Sequence, residues 1–233
     1  MSVPYCCAMN LLLEVIASSV EDALEAEQGG AGRVELCVDL AAGGTTPPIE
    51  MVREVARRVR IPVRVMVCEN PSYSRPEKVE LRRLCAAMRE VCDAGVEGVV
   101  IGFDLAGELD VESLGEMIGA APGLRVTFHR VFERLRNQVE ALGVLKGFPR
   151  VDRILLCDGD WETLVRAAGP GIKLIAGGGL RSGDFLRLLE TTSVREFHTG
   201  RPVREGQQAD GRVSARLVRE LTEVLRTSPF SGS

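Results

Sequence analysis

Eight strand-then-helix units recur along the 233-residue chain, at a spacing of roughly 25 to 30 residues, and this repetition predicts a single (β/α)8 TIM barrel. Two further observations agree. No linker or low-complexity run interrupts residues 1–233, so one domain is expected. Hydrophobic residues make up 45% and charged residues 27%, a balance that supports a sizeable core. A doubly wound open sheet is the alternative, but eight units without a break favour closure.

The strands are expected at Leu11–Ala17, Gly32–Val38, Ile61–Val67, Gly98–Phe103, Leu124–Phe128, Asp152–Leu156, Ile172–Ala176 and Val194–His198. Each is a short apolar run bounded by turn residues. The helices between and after them are expected at Val20–Gln28, Ile49–Val59, Pro76–Asp93, Val111–Ala120, Asn137–Leu145, Trp161–Ala168, Gly183–Glu190 and Val213–Leu225. Ser18-Ser19 reads as the cap of the first helix and Gly29-Gly30 as its stop, while Asp110 opens the fourth. An irregular arm (1–9) and a loose tail (227–233) are expected at the ends.

Composition excludes several classes. A net charge of −4 argues against a broad nucleic-acid surface. No apolar run approaches the ~18 residues of a membrane span, and Met1–Asn10 lacks a basic leader, so a cytoplasmic protein is expected. Seven cysteines without a CxxC pair make a disulfide framework a poor reading. Cys6, Cys7 and Met9 offer soft ligands in the arm, although an untethered arm explains them as well. A homodimer is the default for a barrel of this kind.

Function is sought at the strand ends, because barrel active sites lie on the C-terminal face. Strand side chains alternate, and the helix-facing set must be apolar. With Val34 and Leu36 outward, Arg33, Glu35 and Cys37 point inward; with Val63, Val65 and Val67 outward, Arg64, Met66 and Cys68 do. Glu14, Thr127, His129, Glu196 and His198 point inward by the same logic. The interior charges Glu14, Glu35 and Glu196 are balanced by Arg33, Arg64 and Lys173, either as an ion-pair network that fills the barrel or as a pocket for a charged ligand. The only two histidines, His129 and His198, each close a strand beside Cys37, Cys68 and Cys157, a soft set suited to Cu(I) or Zn(II). Gly177, Gly178 and Gly179, with Gly200 and Arg201 after the last strand, read as an anion cup or as tight turns.

These stretches together resemble the CutC family of copper-homeostasis proteins. The resemblance is carried by Leu13-Glu14-Val15, Arg33-Val34-Glu35-Leu36-Cys37, Gly43-Gly44-Thr45-Thr46-Pro47 and Ile61-Pro62-Val63 with Val65-Met66. It continues through Val126-Thr127-Phe128-His129-Arg130 with Phe132, Ala176-Gly177-Gly178-Gly179 and Glu196-Phe197-His198. It implies the same barrel and a cytoplasmic, often oligomeric protein. The chain departs from the family at four places. Cys68-Glu69-Asn70 replaces Arg-Pro-Arg, Leu156-Cys157-Asp158 replaces Thr-Ser-Gly, and Thr199-Gly200-Arg201 replaces Ser-Ala-Arg. Ile16 stands where copper-binding members carry one cysteine of a pair, whose other member matches Cys37.

Two functions follow as expectations, with a non-catalytic binding scaffold or oligomeric partner as a third reading. The first is copper homeostasis with Cu(I) at the barrel mouth, held by Cys37 with Cys68 or His129. The second is a lyase or isomerase acting on a small anionic sugar or sugar phosphate. There His129 is the acid or base, Glu14 and Glu35 its partners, Arg64 an orienting cation and the glycine loops the anion site. Under both, His129 is expected at the mouth within reach of Glu14 or Glu35.

Overall fold

The computed structural model describes residues 11–180 and 182–228. Cys6, Cys7, Met9 and the tail beyond Ser228 lie outside the described residues. Eight parallel strands close into a barrel: β1 (Leu12–Ala17), β2 (Arg33–Leu36), β3 (Val63–Met66), β4 (Gly98–Ile101), β5 (Arg125–Phe128), β6 (Val151–Leu156), β7 (Lys173–Ala176) and β8 (Glu196–Thr199). Each pairs with its sequence neighbours, and β1 pairs with β8 to complete the circuit. The outer ring is α1 (Val20–Gly29), α2 (Ile49–Arg58), α3 (Lys78–Asp93), α4 (Val111–Ala120), α5 (Gln138–Leu145), α6 (Trp161–Ala168), α7 (Ser182–Thr191) and α8 (Ala215–Thr227).

The local signals act as the sequence implies. Ser19 caps α1 by accepting from the Asp22 amide, and Gly30 ends it in the left-handed region at φ 92°. Asp110 caps α4 through the Ser113 amide. Two helix starts move inward by two residues: α3 starts at Lys78 rather than Pro76, and α8 at Ala215 rather than Val213. In α8's case the Val213 amide is already engaged by Asp22. Thr227 belongs to α8 and Ser228 is buried, so the tail cannot begin where expected. A small antiparallel pair, Asp104–Leu105 with Glu108–Leu109, also interrupts the β4–α4 connection. Among the described residues, no helix is long and apolar enough to cross a membrane.

Helix-facing Val15, Val34, Leu36, Val65 and Phe197 are fully buried beneath the ring. Their strand neighbours Glu14, Arg33, Glu35, Arg64, Thr127, Glu196 and His198 are buried too, on the inside of the barrel. Register then decides which charges meet. Glu14 lies opposite His198 on β8 and opposite Arg33 on β2, while Glu35 lies opposite Arg64 on β3. A one-residue slip at β1 would place apolar Leu13 or Val15 in the Glu14 slot.

Candidate functional site

The barrel interior is polar in two layers. Toward the N-terminal ends of the strands, Arg64 donates to Glu97 at 3.0 Å, to Asp152 at 2.8 and 3.0 Å and to Thr127 at 2.6 Å. Glu196 accepts from Arg33 at 2.9 Å and from Arg153 at 2.7 Å, and meets Lys173 at 3.1 Å. Burial opposes the Glu196 charge, but Arg153 and Arg33 outweigh it and hold its pKa at about 2. This layer is a structural network. Arg64, expected to orient a ligand, is drawn by Glu97 and Asp152 to the barrel floor and does not line the cavity above.

That cavity opens at the C-terminal ends of the strands and encloses about 350 Å³. Its deep wall carries Glu35, Cys37, His129 and His198, with Ile16, Met66, Val100 and Leu155 as apolar lining. Arg130 and Arg201 stand exposed at its rim, beside Gly178, Gly179 and Gly200. Tyr73 closes one side, and its hydroxyl donates to the Gly43 carbonyl at 2.6 Å. The β8–α8 loop is anchored by buried Arg204, which donates to Asp22, Ser18 and the Ile16 and Gly211 carbonyls.

The carboxylates face His198 rather than His129. His198 Nδ1 lies 2.7 Å from Glu14 and 3.8 Å from Glu35. Arg33 also donates to Glu14. Burial alone would neutralise Glu14, but Arg33 and His198 outweigh it and hold the carboxyl far below the usual range. His198 is buried as well, yet Glu35 and Glu14 raise its pKa. With Glu14 ionised, Nδ1–H donates to it, which leaves Nε2 for a ligand. Glu35 is less well supported. Burial, reinforced by the Glu14 charge and only partly offset by His198 and Arg33, lifts it to about 7. Its Oε2 is buried without a hydrogen-bond partner among the described residues.

The glycine loop divides. The Gly177 amide donates to the Leu156 carbonyl at 2.7 Å, so it serves the barrel rather than an anion. A Cβ at Gly177 would lie 2.9 Å from Leu155 Cδ1 and 3.2 Å from the His198 ring, so a side chain there would crowd the cavity wall. Gly178 and Gly179 adopt left-handed φ values of 86° and 77° on the cavity rim, ahead of α7. Gly200 and Arg201 join them there.

The expected soft-metal set is not assembled. Cys37 lines the cavity, but Cys68 turns aside to donate to the Asn70 carbonyl at 3.1 Å. Burial pushes the Cys68 thiol up to about 11, and burial with the Glu35 charge pushes the Cys37 thiol up further. Cys157 also lines the cavity; burial and then Glu133 raise it to about 12. Among the described residues, the one group of three ligand atoms within 4.8 Å of one another is Glu14, Glu35 and His198. Its carboxylate oxygens suit hard cations rather than Cu(I). Arg33 and the Nδ1 proton already occupy Glu14, so a cation there would have to displace both.

A closed parallel barrel with an ionisable, half-apolar pocket at its strand ends is the TIM-barrel arrangement of a small-molecule site. Comparison with known proteins narrows this. The CutC family model matches residues 11–202. A family protein CutC of Bacteroides fragilis is 35% identical over 203 residues, covering 81% of this chain and 79% of its own. The mouse copper homeostasis protein cutC homolog is 34% identical over 199 residues, covering 81% and 73%. The crystal structure of CutC from Streptococcus agalactiae superposes with a TM-score of 0.74 at 25% identity, over 82% of this chain and 98% of that one. The chain belongs to the CutC family.

Glu35 and Cys37 lie on the cavity wall as the strand alternation implies, but the carboxylates meet His198 and not the expected His129. His198 carries the same strand-end signal as His129, and its placement beside Glu14 comes from the β1–β8 closure. Tyr73 lies in a loop at φ 55°, with no periodic signal to mark it.

Proposed function

We propose that the barrel binds a small anionic molecule at its C-terminal mouth and moves a proton on it, as a lyase or isomerase. Glu35 is the acid–base group and His198 its charged neighbour. The observation that carries this reading is Glu35 itself: a cavity-lining carboxyl, buried, short of a hydrogen-bond partner and poised at about 7. A group with that pKa exchanges protons efficiently near neutral pH. Glu14 is a positioning residue, because it touches His198 and Arg33 and does not line the cavity. Arg130 and Arg201 supply positive charge at the rim for the anionic end of the substrate. The test is deuterium exchange: sugar phosphates and hydroxy acids are incubated with the protein in D2O and followed by proton NMR. Loss of one C–H signal with the parent and its retention with Glu35→Gln is expected. Equal exchange by both proteins would remove Glu35 from the chemistry.

Copper(I) as cargo is the second reading, favoured by one observation: Cys37 and Cys157 line the same cavity as two histidines. The relatives named for copper homeostasis point the same way. Two soft ligands suffice for Cu(I), with Cys37 first among them. On this reading Cys37→Ser gives up Cu(I) to a chelator that the parent resists. A variant that retains Cu(I) as tightly as the parent removes the reading.

A further inference from the structure

His129 is left without a role by the acid–base pair, and its geometry is specific. Its Nδ1 accepts a hydrogen bond from the Val131 amide at 3.1 Å, inside the turn that follows β5. A nitrogen that accepts from an amide carries no proton, so the neutral ring holds its hydrogen on Nε2. Nε2 is buried and meets no hydrogen-bond partner among the described residues. The ring forms part of the cavity wall, fixed against Tyr73 at a centroid distance of 4.3 Å and beside the Gly102 backbone.

We infer that His129 is a fixed, uncharged hydrogen-bond donor for a ligand oxygen, so that the substrate is an anionic carbonyl compound. This rests on the proton-transfer reading proposed above. The ionised Glu35 carboxylate takes a proton from the carbon beside the carbonyl. The C–H electron pair becomes the C=C bond of an enolate, and the carbonyl oxygen takes up the negative charge. The Nε2–H of His129 donates to that oxygen without releasing its proton, and the proton on Glu35 is returned to carbon in the next step. A donor aimed where charge develops stabilises the enolate more than the ketone.

Charge considerations agree with a donor that never ionises. Burial first, then the Arg130 and Arg134 charges, pull the His129 pKa down to about 3, against its own backbone and that of Gly102, which raise it. The nearby titratable Tyr73 is pushed up by its own burial and stays protonated through the same range. An imidazole that stayed charged would instead compete with the rim arginines for the anionic end of the substrate.

The test uses the full chain with 15N-labelled histidine, in which only two rings give signals. From pH 5 to 9, His129 is expected to show one pyridine-like and one pyrrole-like nitrogen, with the proton on Nε2. Titration with phosphoglycolohydroxamate, an enediolate mimic, is expected to move the His129 Nε2–H proton downfield; inorganic phosphate is expected to leave it in place. His129→Leu is expected to lose roughly 10- to 100-fold in hydroxamate affinity, the worth of one buried hydrogen bond. Phosphate affinity is expected to stay within about twofold, and His129→Gln, which keeps a donor, to recover part of the loss. A proton on Nδ1, a titrating ring, an unmoved Nε2–H, or no hydroxamate binding by the parent would overturn the inference. If the Nε2–H shift appears while Glu35→Gln exchanges deuterium like the parent, the acid–base assignment fails and the donor stands.

Discussion

Replacing Arg33 with methionine is expected to cost roughly 3–5 kcal/mol of folding stability, read as a lower urea midpoint. Arg33 is 1% exposed and binds both Glu14 and Glu196. Methionine fills similar space but leaves Glu14 with His198 alone and weakens the hold on Glu196. The loss arises because a buried charge is left uncompensated, and not because ion pairs in general stabilise a fold. The exposed pair Arg166–Glu162 supplies the contrast, since its removal is expected to change little. A loss at Arg33 as small as the one at Arg166 would show that the interior network contributes nothing to folding.

The same network sets how stability responds to pH. Glu14 has a folded pKa below its unfolded 4.5, so its contribution is present above that value and lost as pH falls. Glu35 behaves oppositely. Its folded pKa is raised from 4.5 to about 7, so the folded state binds the extra proton and stability falls as pH rises across that interval. Glu35→Gln is therefore expected to flatten the decline between pH 4.5 and 7.

The second large effect is on turnover. Glu35→Gln is expected to lower kcat by about 10²- to 10⁴-fold, the usual contribution of a positioned acid or base. Glutamine keeps the size of the side chain and cannot exchange a proton with substrate, so the fold should survive where the chemistry does not. In the parent, kcat/KM is expected to rise with pH through about 7, because proton abstraction needs the ionised carboxylate. A variant that retained this profile would assign it to another group.

Much of the architecture could be read from periodicity alone. Alternation in Arg33-Val34-Glu35-Leu36 separates the inward charges from the outward apolar residues, and the buried pairs follow that division. What alternation does not contain is height along the barrel axis and the identity of neighbours across the closure. Arg64 and Glu35 are opposite each other in register, yet the long guanidinium stem reaches Asp152 and Glu97 on the floor while Glu35 faces the mouth. His129 and His198 both end strands, but only β8 lies beside β1, so Glu14 falls to His198. Arg153 escapes a simple alternation because the β5–β6 register shifts between Val126 and Thr127. Cys68 is withdrawn from the mouth by the Asn70 carbonyl, two residues further on in an irregular loop.

The proposed chemistry requires Glu35 to be a proton-exchanging group, and its titration tests this most directly. Carboxyl 13C chemical shifts of glutamate-labelled protein, with the Glu35 signal assigned by its loss in Glu35→Gln, report the protonation state residue by residue. A Glu35 midpoint near 7 is predicted, with the carboxyl largely protonated at pH 5.5. A midpoint near the ordinary carboxylate value of about 4.3 would leave Glu35 ionised throughout the neutral range and would contradict a group poised to give and take a proton there.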